Sequence, residues 1–510
     1  MHIIDLLVVG LYVTAVLWFG ARYSRDQRSS RDYFLTRNPV PWWALLGSIV
    51  ATETSTVTLI SVPGYAFGGD LTFLQLALGY VVARVLVAVV LVPVFLSGRQ
   101  LTAYMVMTAR FGATARHVTA ALFLGTRTLS DGFRLFATGL VLAAVLGATP
   151  AAVKLVDLAL PGPDAVTSLL VVSIVVIAGT TVVYTLFGGM SAVIWTDVVQ
   201  LVVYLGGALA TSAILLEAIP GGWREVLAVS SAAGKLRVID LSVDLSRSYT
   251  FWSGLVGGLF IATATHGADQ LFVQRYLCSR SLGDARRALI VSGVVVFVQF
   301  ALFLAIGLML WVYYTEHAPD ALAAITVGGQ VQTDRVLPVF LMTHLPLGLR
   351  GLMVAAIVAA AMSTLSSSLN SSAASTVGDF YEPLTAGTRS EDHYLWVSRW
   401  TTVLWAIVQV FVALVAIGLS RRVVDEVLGI QSFTGGLLLG ALSLAVLTTR
   451  SVAAAPVIGI ACGAGVLLVL RVATDVSWQW YALIGSLSTF GVGLLVMSLH
   501  ARVVFPRRSR

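Results

Sequence analysis

Ser48-Ile49-Val50-Ala51-Thr52-Glu53-Thr54-Ser55-Thr56-Val57-Thr58, followed by Pro63-Gly64, sits inside an apolar run over 42–67. A helix that crosses a bilayer satisfies its own backbone groups and turns hydrocarbon side chains to the lipid. Six hydroxyls and a carboxylate within eleven residues do not suit that role. The stretch reads instead as a spanning helix interrupted part-way, where unwound carbonyls can ligate a cation and half-helix ends can face a solute. The competing reading is close packing through small residues, each hydroxyl bonded to a carbonyl one turn earlier.

Around this run the whole chain is built for lipid. Its 510 residues are 58% hydrophobic and 11% charged, more apolar surface than a soluble protein of that length buries. Runs of roughly 20 apolar residues, enough to cross ~30 Å of hydrocarbon, recur thirteen times: near 3–20, 42–67, 71–96, 117–147, 166–188, 192–217, 250–274, 288–314, 347–378, 394–419, 425–448, 453–470 and 479–500. The first lacks a basic region ahead of it and a small-residue cleavage site behind it, so a retained helix is expected. Cys278 and Cys462 lie in different segments and suggest neither a disulfide framework nor a thiolate metal site. The net charge of +7 is a matter of topology and not of nucleic acid. Arg22, Arg25, Arg28, Arg31 and Arg37 follow the first run, and Arg502, Arg507, Arg508 and Arg510 close the chain. Positive residues gather on the cytoplasmic side, which predicts a multi-pass protein of the cell membrane with its amino terminus outside and its carboxyl terminus inside. The Lys and Arg of 218–249 weaken that contrast. The stretches 218–249 and 315–346 are then external loops, and neither is long enough for a soluble enzyme or nucleic-acid-binding domain.

An ionisable side chain in a membrane segment costs at least ~2.5 kcal/mol, so each one marks a site or needs a partner. Glu53, Arg84, Arg127, Asp131, Arg134, Asp197, His266, Asp269 and Arg399 all fall in or beside the runs. The seventh run, Ala262-Thr263-Ala264-Thr265-His266-Gly267-Ala268-Asp269-Gln270, has the same fault as the second. Two interrupted helices five segments apart are what an inverted repeat of five plus five helices produces. In the ninth run, ten of the fourteen residues from Ser363 to Thr376 are Ser, Thr or Asn. Ser363, Ser366, Ser367 and Asn370 share one helical face. So oxygen-rich and charge-poor a surface suits a hard monovalent cation better than a soft metal. Arg127, Asp131 and Arg134, at i, i+4 and i+7, can form one ladder. It reads either as an internally neutralised structural cluster or as a receptor for a carboxylate, which arginine grips with paired hydrogen bonds.

These residues resemble the sodium:solute symporter family. Tyr33-Phe34-Leu35, Pro41-Trp42-Trp43-Ala44-Leu45, Ala51-Thr52-Glu53-Thr54-Ser55 and Pro63-Gly64 are similar to the family's second helix. Ala359 to Asn370 resembles its sodium-binding helix. Gly188-Gly189-Met190 with Trp195 to Gln200, and Gly267 to Gln270 with Val273 to Leu277, continue the likeness in order. The resemblance implies an all-α membrane protein of about thirteen spanning helices with the leucine-transporter type of fold. One extra helix (1–24) would precede the first repeat (42–217) and the second repeat (250–449), with two further helices and a basic tail (450–510) behind. It also implies a central sodium site at Ala51, Thr54, Ala360, Ser363 and Thr364, and a second at Asp197, Ser363, Ser366 and Ser367. For Asp197 the alternative is a loop-end residue paired with an arginine. Solute contacts would come from Glu53, Ser55, Thr58, Gln75, Arg127, Arg134, Asp269, Phe272 and Gln431. Glu53 is open between tuning sodium affinity, contacting solute and neutralising the surplus arginine of the ladder.

The expected function is sodium-coupled import of a small organic solute by alternating access, with a carboxylate solute favoured. Sodium is the coupling ion, no cofactor is called for, and a monomer suffices. A membrane sensor built on the same fold is the alternative, disfavoured because no signalling domain follows Arg510. An intramembrane enzyme finds support only in His266 and the buried acids, without paired aspartates or a nucleophile motif.

Overall fold

The structure is a computed structural model that describes residues 2–23, 27–98, 100–147, 153, 154, 156, 165–327, 329–417 and 423–504. Arg25, Arg507, Arg508 and Arg510 lie outside them, as do residues at the edges of the expected helices and repeats. The helices that correspond to the apolar runs are α1 (Ile3–Arg22), α2 (Trp42–Glu53), α3 (Thr56–Gly68), α4 (Leu74–Val90), α5 (Met105–Gly147), α6 (Ala165–Ala218), α7 (Gly258–Ala268), α8 (Gln270–Leu277), α9 (Leu282–Val312), α10 (Leu349–Ser375), α11 (Glu391–Ala416), α12 (Val423–Leu447), α13 (Ala455–Ala473) and α14 (Tyr481–Val504). Every one of the thirteen apolar runs coincides with helix. Among the described residues nine helical stretches are long and apolar enough to cross a membrane alone, and α2 with α3 makes a tenth as a bent pair. The fourth and seventh runs fall short of that test: α5 is loaded with arginine and aspartate, and α7 and α8 are each short.

Both predicted interruptions are present. α2 and α3 meet at 64° across Thr54 and Ser55. The Thr54 amide still closes on Val50 (3.0 Å), but the Ser55 amide turns back to Glu53 (3.1 Å). Ser55 is extended and caps α3 by accepting from the Thr58 amide. Pro63-Gly64 does not make the break; both lie within α3. There a Cβ at Gly64 would meet the Thr333 carbonyl at 2.8 Å, so the glycine serves close approach. The second break is at Asp269, extended between α7 and α8, whose carboxylate caps α8 by accepting from the Leu271 amide (2.9 Å). α6 contains two of the runs because it is two helices joined at a kink, where the backbone of Gly189 is non-helical. Its φ of +54° belongs to glycine, and a Cβ there would lie 2.5 Å from the Tyr33 carbonyl.

α10 is the central post: its apolar window is 94% buried, against 22% for α1 at the periphery. The buried Asp5 carboxylate ties α1 to the start of α10 by accepting from the amides of Gly348 (2.8 Å) and Gly351 (3.1 Å). α1, α11 and α13 show large apolar side chains outward, among them Leu11, Trp400, Phe411 and Val472, as lipid-facing helices do. Small residues let the inner helices touch. A Cβ on Gly79 of α4 would stand 2.6 Å from the Gly254 carbonyl, just before α7.

Candidate functional site

The breaks of both interrupted helices border one cavity of about 460 Å³. Its floor is formed by Thr52, Glu53, Arg127, His266 and Phe272, and its mouth by Tyr65, Phe73, Tyr249, Thr333 and Asp334. The mouth therefore lies on the side of the two long loops.

Beside the floor, the unwinding after Glu53 brings α2 carbonyls against the hydroxyl face of α10. Ser363 Oγ lies 3.0 Å from the Ala51 carbonyl oxygen and 3.1 Å from that of Ala360. Thr364 Oγ1 lies 3.1 Å from the Thr52 carbonyl and 3.4 Å from that of Ala360. Four of the five expected central-site residues thus converge as uncharged oxygens, a donor set suited to a hard monovalent cation. The Thr54 hydroxyl is otherwise engaged. It donates to the Val50 carbonyl (2.9 Å) and accepts from Gln299 Nε2 (2.5 Å).

Asp197 is buried and does pair with an arginine, but not at a loop end. Its partner is Arg275 of α8, at 3.0 Å with neither side chain exposed. The same guanidinium donates to Ser48 Oγ (2.8 Å), Ser367 Oγ (2.5 Å) and Thr52 Oγ1. Ser48 donates to Asp197 Oδ2 at 2.6 Å, whereas Asp197 Oδ1 is buried with no partner among the described residues. Ser366 and Ser367 both donate to the Ser363 carbonyl, at 3.2 and 2.7 Å.

The ladder of α5 forms, and its second counter-ion is Asp269, not Glu53. Arg127 meets Asp269 at 2.6 Å and Asp131 at 3.3 Å; Arg134 meets Asp131 at 3.2 Å and Gln431 Oε1 at 2.9 Å. Ser368 of α10 donates to Asp131 at 2.5 Å, tying the ladder to the central post. Two guanidinium groups face two carboxylates, so the surplus charge inferred from α5 alone is absent. Glu53 pairs with the fully buried Arg84 of α4. Arg84 also donates to His266 Nε2 (3.1 Å), while His266 Nδ1 faces Tyr276 Oη (3.3 Å). An imidazole that accepts at Nε2 carries its proton at Nδ1.

Of the expected solute contacts, Glu53, Ser55, Thr58, Arg127, Arg134, Phe272 and Gln431 line the cavity. Two do not. Gln75 is buried beside the mouth, donating to the carbonyls of Thr72 (3.1 Å) and Tyr249 (2.9 Å) and accepting from the Asp240 amide (3.1 Å). Asp269 lies behind Arg127, on a helix cap. The aromatic wall of Tyr65, Phe73, Tyr80 and Tyr249 was missed, because apolar-run residues and a loop tyrosine carry no polar signal in the sequence.

The sequence matches the sodium:solute symporter family over residues 33–463. It is 29% identical over 497 residues to the sodium/sialic acid symporter of Proteus mirabilis, covering 96% of this chain and 94% of that protein. It is 28% identical over 488 residues to the sodium/sialic acid symporter of Aliivibrio fischeri, covering 95% and 91%. A Na+-coupled sialic acid symporter solved with substrate in an outward-open state superposes with a TM-score of 0.84 at 28% identity, covering 98% of each chain.

Proposed function

The chain belongs to the sodium:solute symporter family, and from that premise we propose that it imports a small polar organic solute by alternating access, driven by inward sodium flow. Sodium-coupled symport is what the family and both relatives have in common. One observation carries the assignment of the ion: the carbonyls of Ala51 and Ala360 meet the hydroxyls of Ser363 and Thr364 at the break that also borders the cavity. Sodium bound there holds α2 and α10 together, and the solute rests against the same break. With the amino terminus outside, the cavity mouth faces the exterior and the ladder and α8 close the inner side. The described residues of one chain line the cavity, which is compatible with a monomeric working unit.

A second sodium would use Asp197 Oδ1, the acceptor left open once Arg275 has taken Oδ2 and Ser367. As for the solute, Arg84, Arg127 and Arg134 are matched by Glu53, Asp131 and Asp269. Deep in the cavity the charges are thus already matched, which favours a solute that is uncharged or zwitterionic overall. The second reading is an acidic solute, favoured by the partly exposed Arg134 in the cavity and by the sialic acid named for both relatives.

The test is uptake of labelled sugars, amino acids, carboxylates and vitamins into proteoliposomes under an imposed sodium gradient. Accumulation that collapses when potassium replaces sodium is the expected result. Accumulation indifferent to sodium, or none across the panel, overturns the proposal.

A further inference from the structure

Tyr249 stands at the cavity mouth with φ of 59°, a backbone region that bulky residues rarely occupy. Such strain persists where the surroundings fix it, and here they do so from both sides of the mouth. The Tyr249 carbonyl accepts from Gln75 Nε2 at 2.9 Å. Its ring lies 4.9 Å from that of Tyr65, 5.0 Å from Phe73 and 6.4 Å from Trp478. The preceding loop is tied down along its length. Lys235 Nζ donates to the carbonyls of Phe67 (2.8 Å) and Gly69 (2.7 Å), at the end of α3, and stands 4.8 Å over the Trp311 ring. The Arg237 carbonyl accepts from the Leu71 amide at 3.1 Å, and the Leu245 carbonyl from the Ser477 amide at 2.9 Å. Residues 235–249 thus cross from the outer half of the first interrupted helix to the segment before α14.

We infer that this strap holds Tyr249 as the residue that sets the size of solute admitted to the cavity, its ring forming the mouth-side wall beneath which a solute must pass. The inference rests on the transport reading for its biological sense, but its test does not.

A cysteine at Thr58, which lines the cavity below the ring, is placed in full-length protein carrying Cys462→Ala; Cys278 is buried and stays. Its rate of modification is measured with a small reagent, methyl methanethiosulfonate, and a bulky one of the same neutral charge, benzyl methanethiosulfonate. Tyr249→Ala should raise the ratio of bulky to small rates about tenfold, as opening a gate does. Tyr249→Phe should leave the ratio unchanged, and Tyr249→Trp should lower it. Lys235→Met, which frees the strap without touching the ring, should raise it. If Tyr249→Ala accelerates both reagents equally, the variant has only loosened the fold and the size filter is wrong. An unchanged ratio in Tyr249→Ala and Tyr249→Trp alike overturns it as well. The labelling needs neither solute nor sodium gradient, so failure of sodium-driven uptake would remove the transport reading and leave this result standing.

Discussion

Ser363 and Thr364 hold their places by donating to carbonyls of the opposing helix, and their hydroxyls belong to the sodium site proposed above. On that proposal, removing both hydroxyls deletes two of five ligands, each interaction with a full charge contributing about 1.5–3 kcal/mol. Ser363→Ala with Thr364→Ala should therefore abolish sodium stimulation of uptake at millimolar sodium while the protein still reaches the membrane, measured by transport and by surface labelling; retained stimulation would dismiss the site. Asp197 makes a different prediction because Arg275 is enclosed with it. Asp197→Asn strands a buried guanidinium, which costs about 3–5 kcal/mol. The melting temperature in detergent should fall sharply in that variant and recover when Arg275→Gln is added. A single variant as stable as the parent would mean that the pair is not the internal counter-charge described here.

At the scale of helices, the sequence revealed two interruptions because hydroxyls and an acid were crowded where lipid-facing residues belong, and the structure has its breaks at Thr54 and Asp269. Pro63-Gly64 takes no part in the first break: proline is tolerated inside α3, and the glycine makes room for the Thr333 backbone. The hydroxyl face of α10 was legible for the same reason as the breaks, since periodicity alone places Ser363 and Ser367 together. Pairings between distant helices were not legible. Nothing local to α5 announces that Asp269, more than a hundred residues away, balances Arg127, or that Glu53 turns to Arg84. Asp269 serves two elements, as cap of α8 and as counter-ion of α5. The isosteric Asp269→Asn keeps an acceptor for the Leu271 amide but removes the charge. Thermal unfolding should separate the roles: Asp269→Asn loses the ion pair alone, and Asp269→Ala loses about 1 kcal/mol more with the cap. Equal losses in the two variants would show that the cap contributes nothing.

For the whole molecule the decisive quantity is the charge moved per solute. The two guanidinium groups that line the cavity, Arg127 and Arg134, and the buried Arg84 behind Glu53 are each held by a carboxylate, Glu53, Asp131 or Asp269. A solute with net negative charge must therefore detach one of these arginines from its partner, and breaking a buried pair is costly unless the newcomer replaces the lost contact fully. An uncharged or zwitterionic solute needs no such exchange, and Arg134, Gln431 and Glu53 can orient it through hydrogen bonds. Each cycle then carries inward only the charge of its sodium ions, so transport should be electrogenic. In proteoliposomes, an inside-negative potential set by potassium and valinomycin should accelerate uptake, and the ratio of sodium to solute flux should equal the ratio of charge to solute. Asp269→Asn, which leaves Asp131 alone between Arg127 and Arg134, should open the cavity to acidic solutes that the parent protein excludes. If the parent cycle is electroneutral, the solute brings an anion for every sodium, and the balanced wall must open to Arg134 during binding.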